Sequence, residues 1–310
     1  MHMPDTNLRA KYGAGAFGAG MKIQPQSFEG RVAQRDSLDQ HFTKIWLDFA
    51  ISGVSQRPAL DTRTRLLVLT GQYTMAKSHD ALEDTIRAAI AAAVPAREVL
   101  EIILQCVVYG GHTAVEPAIQ VFHRVAGELG LLEELRKSQL PLDGTESTRS
   151  LEEERKTWNP EDAADPRLPD FLERHGWQAV SRGLALRPHH HLNVLDWLDT
   201  MDPDFADLWV KFCYNGMYTR GIVDDKTRLL CMVGDCLAVG EETQARGHMR
   251  GAMRKGASPR EVMEICFQTC INFGMPPMLR ALEVLVKLLA DDGRLAEIGN
   301  PALKVTSFGK

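Results

Sequence analysis

An imidazole titrates near neutral pH and can give or take a proton at a carbon centre, which makes His248 the first candidate for chemistry in this chain. Its alternative is a packed histidine with a satisfied hydrogen bond. Arg220 and Arg228 flank the start of the apolar segment before it, and a guanidinium can hold a carboxylate through two parallel hydrogen bonds. Tyr218, two residues before Arg220, can donate a hydrogen bond to an enolate oxygen or serve as a packing aromatic. The arginines recur as Arg57 and Arg65, 163 residues earlier. For all four the alternative is an ion pair with Glu98, Glu101, Glu261 or Glu264. Those glutamates are also present in both repeats, which favours a structural role for them.

That spacing organises the whole chain. Moved forward by 163 positions, residues 17–130 lie on 180–293 without a gap, and 15 of 51 positions are identical between 61–111 and 224–274. The period is domain-sized, so the chain reads as two fused copies of one unit. His248 falls on Thr85, whose hydroxyl is no acid or base near neutrality. One complete site per chain is therefore expected, with His79 or Glu83 the available substitutes in the first copy.

Apolar residues at helical spacing predict helices over 61–77, 80–92, 96–109 and 114–130, repeated at 224–238, 241–255, 259–273 and 277–290. Ser258, Pro259 and Glu261 form a capping-box start. No segment alternates at period two, so an all-α chain is expected. The organisation reads as a first domain over 17–133, a charged, proline-bearing linker over 134–170 and a second domain over 171–295. Residues 1–20, with Gly13, Gly15, Gly18 and Gly20, read as a mobile arm; no strand precedes these glycines, so they are no phosphate loop.

Composition narrows the function. A net charge of −5 offers no basic field for nucleic acid, and no apolar run approaches a membrane span. The first residues lack an apolar signal core, so a cytoplasmic location is expected. The six cysteines show no C-x-x-C pair and read as buried free thiols. His189, His190 and His191 are consecutive and do not converge easily on one metal ion; an exposed loop or helix start is expected there.

The second copy resembles the carboxymuconolactone decarboxylase family. The likeness is carried by His248, Arg250, Ala252, Gly256, Glu261, Val262, Glu264, Ile265, Gln268, Gly274 and Pro276, which follow the pattern H-x-R-x-A-x-x-x-G-x-x-x-x-E-[IV]-x-E-[IV]-x-x-Q-x-x-x-x-x-G-x-P. Upstream, Gly216 to Arg220 and Arg182 to Arg187 are similar to the same family's approach segments. The resemblance covers roughly 180–290 and, more weakly, 17–130. It implies an alkylhydroperoxidase D-like helical domain, present here in tandem as an intrachain pseudo-dimer, and a homo-oligomer built as a trimer of two-domain chains.

It also implies a chemistry. The parent reaction is removal of CO2 from an unsaturated lactone acid in aromatic catabolism, without metal or organic cofactor. In that scheme His248 donates the proton, Tyr218 stabilises the dienolate oxygen, and Arg220, with Arg57 and Arg228, binds a small carboxylic acid or lactone. Thiol-peroxidase relatives carry cysteines seven and four residues before the histidine. Here those positions are Glu241 and Gln244, so thiolate peroxide chemistry is set aside. Gln244, where the decarboxylases often have Glu, can hydrogen-bond but cannot ionise, and points to a changed substrate. Lactone hydrolysis, isomerisation, or a non-catalytic ligand-binding scaffold are the alternatives.

Overall fold

The structure, a computed structural model, describes residues 8–142, 150–188 and 190–299. Among these every regular element is a helix. The repeat is visible in the helix boundaries themselves. Thr62–Met75 matches Asp225–Ala238, His79–Ala91 matches Glu242–Arg254, and His112–Glu128 matches Met275–Asp291, each displaced by 163. The same N-caps begin both central helices: Asp61 accepts from the Thr64 amide and Asp224 from the Thr227 amide, each at 2.9 Å.

Thr62–Met75 and Asp225–Ala238 pack against each other at the centre, so the two copies share one core. Gly71 and its counterpart Gly234 allow this approach. A Cβ on Gly71 would fall 2.0 Å from Asp235 Oδ1, and one on Gly234 would fall 2.7 Å from Val68 Cγ1. Crossed ion pairs fasten the copies together. Arg57 of the first reaches Glu264 of the second at 2.7 Å, and Arg220 of the second reaches Glu101 of the first at 2.9 Å. Arg228 adds a fully buried bond to Glu101 at 2.8 Å.

Three expectations change in detail. The arm 1–20 is helical where it is described, over Leu8–Tyr12 and Ala14–Ile23, because Phe17 packs edge-on to Phe28 and Gly20 lets the Phe28 ring lie against the backbone. The helix expected over 96–109 ends at Gln105; Cys106 N–H bonds back to Ile103 O, and a separate turn, Val107–Gly110, follows. The latter part of the linker carries short helices, Leu151–Arg155, Pro160–Ala163 and the start of Leu168–His175, and its Trp158 and Leu168 are buried in the main core. From there Arg167 reaches Asp196 at 3.0 Å and His175 reaches Asp199 at 3.2 Å, bracing the helix His191–Met201. No helix among the described residues is long and apolar enough to cross a membrane.

Candidate active site

A cavity of about 510 Å³ opens beside the second copy. Its wall is assembled from short elements in sequence order. Arg187 caps the helix Trp177–Leu186; Val194, Trp197 and Leu198 lie on His191–Met201; Phe205 and Trp209 lie on Pro203–Val210. A π-helical turn, Lys211–Gly216, then turns Cys213 and Tyr214 inward, and a 3-10 turn, Met217–Thr219, places Tyr218. Gln244 comes from the helix Glu242–Arg254. Tyr109 comes from the other copy, on the Val107–Gly110 turn.

His248 is fully buried and is not among the residues lining this cavity. Its Nε2 lies 2.5 Å from the hydroxyl of Tyr109, the rings meet edge-on, and Nδ1 has no partner. Burial, with the positive charge of Arg187 behind it, holds the imidazole well below its ordinary pKa, so it is neutral. Burial likewise pushes the phenols of Tyr109 and Tyr218 well up, keeping both protonated. Tyr218 donates toward the Tyr109 hydroxyl at 3.5 Å. Gly251 makes this corner possible, because a Cβ there would lie 2.5 Å from the Leu186 carbonyl, just before Arg187.

Arg187 is 9% exposed and lines the cavity. Its Nη2 donates to Gln244 Oε1, while Nε has no partner. Behind Tyr214 stands His191, buried, edge-on to the tyrosine at 4.4 Å, both its nitrogens unpartnered. Burial pushes its pKa down to about 3. His191 thus begins a helix, as expected, but is enclosed rather than exposed; His189 lies outside the described residues.

Of the residues singled out from sequence, Gln244 and Tyr218 line the cavity together, and His248 stands one layer behind. Arg220, Arg57 and Arg228 are elsewhere, held by Glu101 and Glu264 in the crossed pairs that join the copies. Ion pairing with these carboxylates draws the guanidiniums to the seam between the copies and away from this cavity. Sequence reasoning missed Arg187, Tyr109 and Tyr214. The signal was present: their counterparts at 163 residues' distance are Gln24, Asn272 and Ile51, a divergence of the same kind as His248 against Thr85. In the first copy the corresponding corner holds Thr85, whose hydroxyl bonds to the Ala81 carbonyl, and Asn272, which accepts from Tyr73 at 2.8 Å.

The sequence profile of the carboxymuconolactone decarboxylase family matches residues 203–287, which carry most of this wall. The chain is 33% identical over 107 residues to the uncharacterized 15.0 kDa protein in the nqo9-nqo10 intergenic region of Paracoccus denitrificans, covering 34% of this chain and 77% of that protein. It is 25% identical over 121 residues to the 4-carboxymuconolactone decarboxylase of Acinetobacter baylyi, covering 37% of this chain and 90% of that enzyme. An all-α protein with a neutral imidazole set behind a cavity phenol, this chain belongs to the carboxymuconolactone decarboxylase family.

Proposed function

We propose that the second copy is a cofactor-independent decarboxylase of an unsaturated lactone acid, with a site completed by the first copy. The observation that carries this reading is the Tyr109–His248 hydrogen bond at the wall of a cavity that also holds the guanidinium of Arg187, whose Nε has no partner.

The roles follow from position. Arg187 holds a retained carboxylate and so orients the substrate. The leaving carboxylate lies over the apolar wall, where neutral CO2 is favoured over the anion. Loss of CO2 leaves an electron pair delocalised into the lactone carbonyl, and the Tyr218 hydroxyl turns from Tyr109 to donate a hydrogen bond to that oxygen. The proton moves from the Tyr109 hydroxyl to carbon. His248, with its proton on Nε2, donates to the Tyr109 oxygen; this frees the phenol proton to face the substrate and steadies the phenolate until solvent restores it. His248 is a positioning residue in this scheme, since it touches Tyr109 and not the substrate.

Exposed apolar strips support the expected homo-oligomer. Leu38, Phe42, Ile45 and Phe49 of the first copy match Met201, Phe205, Leu208 and Phe212 of the second, and all eight are exposed in the single chain. The enclosure of His248 favours one second reading, ligand binding without turnover. Ultraviolet loss on incubation with a panel of unsaturated lactone acids separates the two. Turnover that Tyr109→Phe and His248→Ala both abolish is the expected result; saturable binding with no turnover of any acid would leave only the binding reading.

A further inference from the structure

Resting on that acid-binding reading, we infer that the substrate is an amphiphilic acid: one carboxylate sits on Arg187, and an apolar conjugated or aryl extension lies along the helix His191–Met201.

Arg187 supplies the polar half of the argument. It is nine-tenths buried, its Nε is unpartnered, and its hydrogen-bonded neighbours in the cavity wall, Gln244 and Tyr214, are neutral. Among the described residues the groups that act on its charge are the phenols of Tyr214, Tyr109 and Tyr218, and not a carboxylate. A buried cation without a counter-ion is costly, and an anionic ligand relieves that cost. Arg187 is also the one cationic residue of the wall, while Glu241 stands exposed at its edge. The cavity therefore offers one cationic anchor, which the retained carboxylate takes, while the leaving carboxylate lies over the apolar wall.

The apolar half comes from comparing the two copies. Val194, Trp197 and Leu198 form one stripe of the helix His191–Met201 and line the cavity. Their counterparts in the first copy are Arg31, Gln34 and Arg35. Phe205, by contrast, matches Phe42, and the neighbouring strip is apolar in both copies. Apolar character common to both copies belongs to the shared architecture. Apolar character confined to the copy with Arg187 and His248 belongs to that copy's ligand. Trp197 remains 64% exposed although it lines the cavity, so its indole lacks a cover that an apolar ligand body would supply. A compact lactone acid would occupy the Arg187 end and leave this stripe wet. At about 510 Å³ the cavity lies within the range of roughly 300–1,000 Å³ common for small organic ligands.

Isothermal titration calorimetry of the full chain tests this with three probes: trans-cinnamate, trans-cinnamamide, and glutaconate as a compact unsaturated dicarboxylate. Cinnamate is expected to bind at least about tenfold more tightly than either of the others. Arg187→Met is expected to weaken cinnamate by about tenfold or more, and Arg187→Lys by less, with thermal melts confirming that both fold. Trp197→Gln, which installs the first copy's residue, should weaken cinnamate and leave glutaconate unchanged. Equal affinity for cinnamate and cinnamamide, glutaconate binding as tightly as cinnamate, or a Trp197→Gln variant with altered oligomeric mass and unaltered cinnamate affinity would each overturn the proposal. The last result would assign the stripe to a second copy of the chain. Cinnamate selectivity without turnover of any acid would sink the decarboxylase reading alone; turnover of compact lactone acids without cinnamate selectivity would sink this inference alone.

Discussion

Tyr109 and His248 stand 139 residues apart, on different copies of the repeat, and share a hydrogen bond of 2.5 Å. The first copy, which has threonine in place of the histidine, thus contributes the phenol that the second copy's histidine holds. Two residues that act as one unit give non-additive losses when removed. Tyr109→Phe and His248→Ala are each expected to lower kcat by about a hundredfold or more, and the double variant to be scarcely worse than Tyr109→Phe alone. Steady-state kinetics of the four proteins checks this; losses that multiply would show that the two residues act separately.

Crossed ion pairs make Glu101 a hinge of the assembly, since it serves Arg220 and the fully buried Arg228 together. Glu101→Gln leaves a buried cation without its counter-charge. Urea unfolding is expected to show a loss of about 3–5 kcal/mol. A loss below about 1 kcal/mol, the usual worth of an exposed pair, would mean that the pair is solvated.

Asp235 lies where the two central helices meet, its Oδ2 accepting from Gln105 at 3.0 Å and its Oδ1 unpartnered. Burial raises its pKa from 3.8 to about 8, so the folded protein holds a proton there at neutral pH that the unfolded chain releases. Stability is thus greatest below about pH 4 as far as this group is concerned, and falls as pH rises toward 8, by roughly 1 kcal/mol per pH unit. Asp235→Asn, neutral in both states, is expected to flatten that slope and to stabilise the protein at pH 8. An unchanged slope in denaturant titrations from pH 5 to 8 would count against a protonated Asp235.

His191 acts with the opposite sign. Its folded pKa is pushed down to about 3 against an ordinary 6.5, so its contribution is complete above pH 6.5 and is lost as pH falls toward 3. The first copy carries Phe28 at this position. His191→Phe is expected to remove part of the acid-side loss between pH 6.5 and 4.5, measured as a smaller drop in unfolding midpoint. An equal drop in both proteins would place the acid sensitivity elsewhere.

Much of the architecture was legible because helical spacing and the 163-residue repeat carry it. The capping box at Ser258 is present, with the Ser258 amide donating to Glu261 at 2.8 Å and the Glu261 amide donating back at 3.2 Å. By residue type Arg57 and Arg220 suit a carboxylate ligand, yet their presence in both copies is itself the sign of a structural role, as the crossed pairs with Glu264 and Glu101 show. Tyr109 was harder to read. It comes from the copy lacking the histidine, and its place depends on the break at Cys106 and on the packing of one copy against the other, neither of which a local pattern records. The N-terminal glycines misled for a similar reason: Gly20 is small to admit Phe28, not to loosen the chain.

The most direct test follows decarboxylation of an unsaturated lactone acid in D2O by proton NMR, with wild-type protein and with Tyr109→Phe. The account requires wild-type product to carry one deuterium on a carbon of the dienolate left by CO2, and Tyr109→Phe to bind the acid while turning it over at least about a hundredfold more slowly. Turnover by Tyr109→Phe at the wild-type rate would contradict it.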